Sequence, residues 1–293
     1  MRVRTPCCAP GRGLLQTQAP QRAWSVGRGR SMLPARHPPP VDAARVDAPS
    51  RALVVPLAAN RLGNRLLEAL APQDWQHWCA LLTHVELPRR EVLYESGASI
   101  AHAYFPTTAL VSLEYVTDSG GTAEIALVGP EGVVGVPLFM GAGSTLGRAV
   151  VQIGGHAFRM PAASIRNEFE RSPAVMNLLL RYTQALITHM AQTAVCNRHH
   201  PIDQQLCRWL LLGQDRQPGN ELSVTQEQIA QMLGVRREGV TEAALALQAA
   251  GLIRYHRGHI AVLDRAGLER RCCECYGVVR REFDRLLPQA AAR

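Results

Sequence analysis

The stretch LSVTQEQIAQMLGVRREGVTEAALALQAAGLIRYHRGHIAVLD, residues 222–264, decides the fold. Thr225-Gln226-Glu227-Gln228 reads as a capping box, with Thr225 at the N-cap and Gln228 three positions on. The helix it opens carries Ile229, Ala230, Met232 and Leu233. Gly234 supplies a tight turn, and a second helix starts near Arg236. Val240, Ala244 and Leu247 lie on one face of that helix. Arg236, Arg237 and Thr241 lie on the opposite face, with Glu238 and Glu242 near its edge. Gly251 ends it. Ile253 and Tyr255, then Ile260 and Val262, alternate around His256-Arg257-Gly258-His259, which predicts a hairpin with a basic tip. Helix, glycine turn, helix and basic hairpin, in this order, predict a winged helix-turn-helix. In that unit the first helix braces the second, which presents its N-terminal polar residues to the major groove. An arginine fork pairs with guanine O6 and N7, and a glutamate accepts from cytosine N4. The expected DNA-contacting residues are therefore Thr225, Gln226, Arg236, Arg237, Glu238, Thr241, Glu242 and Arg257. The competing reading, a plain helical hairpin with a solvated arginine face, leaves the ordered succession of cap, turn and wing unexplained.

Upstream, Ser172 reads as an N-cap and Pro173 as the first residue of a long helix. Val175, Leu179, Tyr182 and Leu186 form one apolar stripe. Met176, Leu180, Thr183, Ile187, Met190 and Ala194 form a second, at the 4-3 spacing of a coiled-coil seam. Two such faces predict two partners: the preceding domain, and the same helix of a second subunit. Earlier still, residues 85–160 are short β-rich runs between turn residues. Strands are expected at Glu91–Tyr94, Ala109–Val116, Ala123–Val128, Arg148–Ile153 and His156–Met160. Leu66, Leu67, Leu70, Trp75, Trp78 and Leu82 recur at helical spacing, with Pro72 dividing two short helices. The expected fold class is α+β. It comprises a tail over residues 1–60, an antiparallel β-barrel or jelly-roll sensor domain over 61–171, a dimerisation helix over 172–198 and a winged helix-turn-helix over 199–293.

Charge has to be located before it is used. The net +8 over 293 residues comes from 32 basic residues, all arginine, against 24 acids. Residues 1–60 hold nine arginines against two acids, while 199–293 hold thirteen against eleven. The pI near 9.4 thus reports the Arg/Pro/Ala-rich tail and not the DNA-reading unit. That tail has no periodicity, and its composition is that of a disordered segment. It reads either as a basic arm or as an extension ahead of a start at Met32. No apolar run nears the roughly 20 residues of a spanning helix. With no export signal expected, the eight cysteines read as reduced thiols in a cytoplasm.

With these elements in place the chain resembles the Crp/Fnr transcription regulators. The stretch TQEQIAQMLGVRREGVTEAALALQAAGLI, residues 225–253, is similar to that family's DNA-binding segment. The resemblance implies a homodimer on double-stranded DNA, with RNA polymerase as a further partner. It also implies base reading through the pattern R-E-x-x-x-R. Arg237 and Glu238 match its first two positions, whereas Glu242 replaces the last arginine, which changes the operator expected. Cyclic-nucleotide-binding members carry Gly-Glu for the ribose and Arg-Ser or Arg-Thr for the cyclic phosphate. Here Gly135-Val136 lacks the glutamate, and Arg148 is displaced by about one residue, which changes its face on a strand. Arg148 is kept as the effector-site candidate, and cyclic AMP is not expected. Nor is an iron–sulfur cluster, because Cys7 and Cys8 are adjacent and residues 85–160 hold no cysteine. No cofactor is expected.

Other chemistry is weak. Gly141 to Gly147 mimics a dinucleotide fingerprint, but its last gap is one residue too long and no helix follows. In Cys272-Cys273-Glu274-Cys275, the residues Leu268, Cys272, Cys275, Val279, Phe283 and Leu286 fall on one helical stripe. Core packing is therefore preferred over redox sensing or metal binding. His199-His200 before Pro201 reads as an interdomain hinge. No HExxH or GxSxG motif occurs, and no enzyme is expected. The functional reading is a sequence-specific transcription regulator governed by a signal in its sensor domain. The alternative is a ligand-binding or thiol redox-sensing module whose DNA contact is secondary.

Overall fold

The computed structural model describes residues 63–287 except Ser119, so the tail expected over residues 1–60 lies outside the described residues. Two short helices, α1 (Arg65–Glu68) and α2 (Pro72–Cys79), open the described chain. Seven strands follow: β1 (Thr83–Leu87), β2 (Val92–Tyr94), β3 (His102–Pro106), β4 (Leu110–Val116), β5 (Thr122–Val128), β6 (Arg148–Ile153) and β7 (Gly155–Pro161). Then come α3 (Ala162–Arg171), α4 (Pro173–His199) and α5 (Ile202–Gln214). The C-terminal part contains β8 (Glu221–Ser223), α6 (Gln226–Leu233), α7 (Arg237–Ala249), the hairpin β9 (Ile253–His256) and β10 (His259–Val262), α8 (Arg265–Arg271) and α9 (Glu274–Leu286).

The first seven strands do not close into a barrel. They form two antiparallel sheets, ordered β1-β7-β3 and β2-β6-β4-β5, over one core, as a jelly roll does. Phe105, Ala157 and Met160 from the first sheet and Val111, Val128 and Val151 from the second are fully buried in that core. All five expected strands are present, but β1 and β3 were not anticipated. Both are five-residue edges of the smaller sheet, with β7 as their one strand partner, and Tyr104 of β3 adds an isolated bridge to Val134. Pro106 ends β3, where its missing N–H costs an edge strand little.

Buried Asn64 fastens α1 to this sandwich. Its side-chain oxygen caps Leu66 N and Leu67 N, and its amide donates to the carbonyls of Pro106 (2.9 Å) and Gly132 (2.8 Å).

Helix α4 runs 27 residues from the Ser172 cap. Val175, Leu179, Tyr182 and Leu186 are buried, as one stripe required. On the second stripe Leu180 and Ile187 stay 41% and 52% exposed, Met176 and Met190 are half-buried and Ala194 is exposed. Thr183 departs from that stripe: it is buried, its hydroxyl donating to Leu179 O at 2.9 Å.

Helix α9 runs back along α4, with the Phe283 ring against Tyr182 and His189. This corrects the single stripe expected from Leu268 to Leu286. The chain breaks at Cys272 and Cys273, both extended, so Leu268 lies on α8 and Val279 on α9. The break lets α9 leave the α8 direction and seal α4. Arg65 holds its far end, through Asp284 Oδ1 (3.4 Å) and the Leu287 carbonyl (2.9 Å).

Tyr182 sits where the Gly129–Gly132 turn meets α4, its hydroxyl donating to Val133 O at 3.1 Å. A Cβ at Gly132 would stand 2.4 Å from the Tyr182 ring edge, well inside contact distance. Gly132→Ala is expected to displace Tyr182 and lower stability by about 1–3 kcal/mol. Thermal unfolding several degrees below wild type checks this; an unchanged midpoint contradicts the packing.

Candidate functional site

The reading unit is built from local rules. The Thr225 hydroxyl accepts from Gln228 N (3.3 Å), and Gln228 Oε1 accepts from Thr225 N (3.1 Å), so both halves of the capping box are formed. Gly234 ends α6 in the left-handed region at φ 65°, which favours glycine and turns the chain into α7. Arg236 is the N-cap of α7 and Arg237 and Glu238 fill its first turn; all three are exposed, as is Glu242 one turn on. Thr241 is half-buried and donates to Gln226 Oε1 at 2.8 Å, so the start of α6 is tied to the second turn of α7. The wing pairs His256 with His259 around a two-residue turn. Arg257 and Gly258 both adopt positive φ, 40° and 85°, the geometry of the tight turn expected there. Arg257 is exposed at its tip. The short strand β8 completes this sheet, in the order β8-β10-β9.

The reading unit is also docked on the sandwich. Helix α6 packs on β5, and Arg89 donates to Gln228 at 2.5 Å. After α5, the almost sealed Arg216 donates to Glu131 at 2.7 Å and to Leu212 O at 2.8 Å.

A cavity of about 370 Å³ lies between the larger sheet and α4. Its lining includes Tyr94, Leu113, Val136, Pro137, Leu186 and Ile187. Val136 among them is the residue that the resemblance puts in the place of the ribose-binding glutamate. Arg148 also lines it, with its guanidinium committed to Glu114: Nε and Nη2 each stand 2.9 Å from the same carboxylate oxygen. Gln152 serves the other oxygen at 3.0 Å. Glu114 and Arg148 also border a smaller cleft shared with Gln228, Gln231 and Met232 of α6. The pair therefore lies between the cavity and the helix that braces the reader.

The sequence sets core packing above metal binding at Cys272-Cys273-Glu274-Cys275, and the fold brings two further groups there. Cys196 and His200 at the end of α4 meet Cys273 and Cys275 at the start of α9. His200 caps α4 ahead of α5, and its ring faces Cys275, with Sγ 3.5 Å from Nδ1. The Cys-x-Cys spacing at 273–275 was the available signal.

The winged helix-turn-helix is a DNA-binding type of domain, carried beside a jelly-roll domain and a long helix with an exposed apolar stripe. Residues 204–271 match the sequence model of the Crp-like helix-turn-helix domain. The chain as a whole has the fold of the Crp/Fnr transcription regulators. It is similar to a Crp/Fnr-family regulator of Eubacterium rectale, at 17% identity and a TM-score of 0.56 over 70% of this chain and 96% of that one. It is similar to FixK2 from Bradyrhizobium japonicum, at 17% identity and a TM-score of 0.56 over 66% of this chain and 98% of that one. It is also similar to the Crp/Fnr-family regulator TTHA1359 from Thermus thermophilus, at 22% identity and a TM-score of 0.53 over 64% of this chain and 96% of that one. No curated protein matches the chain. Among the described residues no helix is long and apolar enough to cross a membrane.

Glu124 on β5 stands opposite Glu114 on β4. Burial pushes its carboxyl up to about 7; Ser112 offsets part of this, and Glu114 adds to it. The folded chain keeps a proton that the unfolded chain loses near 4.5. Stability from this group is therefore full below about pH 4.5 and is lost as pH rises to about 7 and beyond. Glu124→Gln is expected to flatten that dependence and to stabilise the protein at pH 8 by up to about 3 kcal/mol. Urea midpoints of both proteins from pH 5 to pH 8 check this; parallel curves contradict it.

Proposed function

We propose that the protein is a homodimeric, cytoplasmic, sequence-specific transcription regulator whose DNA affinity is set by a small molecule held beside α4. The carrying observation is the exposed Arg236-Arg237-Glu238 start of α7 with Arg257 on the neighbouring wing, within a Crp-like helix-turn-helix domain. Arg237 reads a guanine edge, and Arg257 touches phosphate. Glu242 shapes preference by repelling base acceptors. RNA polymerase is the further partner, and no catalytic role is assigned. The charged pair lining the cavity neutralises itself, which favours a neutral, largely apolar effector over cyclic AMP. An occupant that displaces Arg148 or Glu114 also reaches the cleft under α6, which supplies a route from signal to reader.

The assignment of roles is tested by the binding profile over all single-base variants of a selected site. Arg237→Ala should relax preference at one position per half-site, where a bidentate pair contributes about 1–3 kcal/mol of discrimination. Arg257→Ala should weaken all sequences alike and lower the salt slope by about 1. An unchanged profile for Arg237→Ala, with a one-base change for Arg257→Ala, reverses the roles.

Dimerisation is tested at Ile187, exposed on the second stripe of α4. Ile187→Asp would set two carboxylates face to face in the seam and should give monomers with weak DNA binding. Light scattering that finds the wild type monomeric overturns the dimer.

A further inference from the structure

Three thiols and one imidazole converge where α4 ends and α9 begins. The ligand atoms of Cys196, His200, Cys273 and Cys275 all lie within 4.8 Å of one another. Cys196 Sγ is 3.6 Å from Cys273 Sγ, and Cys275 Sγ is 3.5 Å from His200 Nδ1. A tetrahedral zinc ion with Zn–S near 2.3 Å and Zn–N near 2.0–2.1 Å requires edges of about 3.8 Å between sulfurs and about 3.5 Å between sulfur and nitrogen. These two edges match a tetrahedral site, and the wider separations in the group, up to 4.8 Å, would close by about 1 Å on an ion.

Two neighbours complete the arrangement. His200 turns Nδ1 toward the sulfurs and Nε2 toward Glu274, whose carboxylate is 3.4 Å away. A carboxylate in that place is the outer partner that would fix the tautomer of a metal-bound imidazole, leaving Nδ1 as the lone-pair donor. Behind the thiols lies buried Arg208, whose Nη2 donates to Thr193 at 2.5 Å and whose charge acts on Cys196 and Cys275. Three thiolates and a neutral imidazole around Zn²⁺ carry a net −1, so a buried cation alongside favours the loaded state. Each ligating thiol gives its proton to solvent on binding. Cys272 borders the group, its sulfur 4.0 Å from the Gln204 carbonyl, and Cys207 lies apart from the four.

We propose that Cys196, His200, Cys273 and Cys275 form a closed, four-ligand structural site for zinc that fastens α9 to the end of α4. A Cys196–Cys273 disulfide would use two of the four groups and leave the Cys275–His200–Glu274 line without a purpose. All four positions are filled by protein, so the site is structural and leaves no place for a bound water. Zinc bound there would lock the junction between the long helix and the C-terminal domain.

The test uses the full-length chain, purified reduced and without chelator. Elemental analysis should give one zinc per chain, with a Kd below about 0.1 µM at pH 7 against a chromophoric chelator. Cobalt in place of zinc should give the intense visible bands of a tetrahedral thiolate site. Cys275→Ser and His200→Ala should each lose the metal or weaken it at least tenfold, whereas Cys207→Ser and Cys79→Ser should retain it. Chelation should lower the melting temperature of the wild type and leave that of Cys275→Ser unchanged. Wild-type protein that takes up no zinc or cobalt, or that retains full zinc with Cys275 replaced, overturns the site. So does a quantitative Cys196–Cys273 disulfide in protein prepared under reducing conditions. Since the wild-type metal content and cobalt spectrum stand alone, a variant that fails to fold does not blunt the test.

Discussion

Helix α4 is the constraint on which the rest of the structure depends. Its 27 residues span about 40 Å and must satisfy three neighbourhoods at once. One face, through Tyr182 and Leu186, closes the jelly-roll core. A second takes α9, with Phe283 set between Tyr182 and His189. The third keeps Leu180 and Ile187 in solvent, where a second subunit would find them. Because α4 carries all three contacts, a change at the cavity beside Leu186 would also be felt where α9 packs on it.

The second connection is polar. Almost sealed Arg216 and half-buried Glu131 form a pair between the end of α5 and the turn after β5. Such pairs contribute little net stability but strongly penalise arrangements in which one partner is left alone. They therefore favour one docking of the reading unit over its alternatives. Glu114 and Arg148 stand at the other edge of the same contact, shared between cavity and α6. A ligand shifts such an equilibrium only by its differential affinity for the two arrangements, and this pair is where that difference would arise.

What the sequence disclosed followed the range of the interactions involved. The capping box, Gly234, the α7 start and the Arg257-Gly258 turn are all set by residues within a few positions of each other, and each was legible. The buried stripe of α4 was legible because period alone defines it. Strands β1 and β3 were not, because five-residue edge strands leave little alternation to read. The break at Cys272–Cys273 accompanies the packing of α9 on α4, a contact with no local signature. The cysteine–histidine cluster was hidden for the same reason: Cys196 and Cys273 are 77 positions apart, and the helical spacing of Cys272 and Cys275 pointed to ordinary core packing.

Whether two such chains read a two-fold site is tested most directly by selecting bound duplexes from a randomised library with the full-length protein. The predicted result is convergence on one palindromic sequence, its half-sites about one helical turn of DNA apart, with a guanine at a fixed position in each half. Enrichment of a single unpaired half-site, or of no common sequence at all, would contradict it.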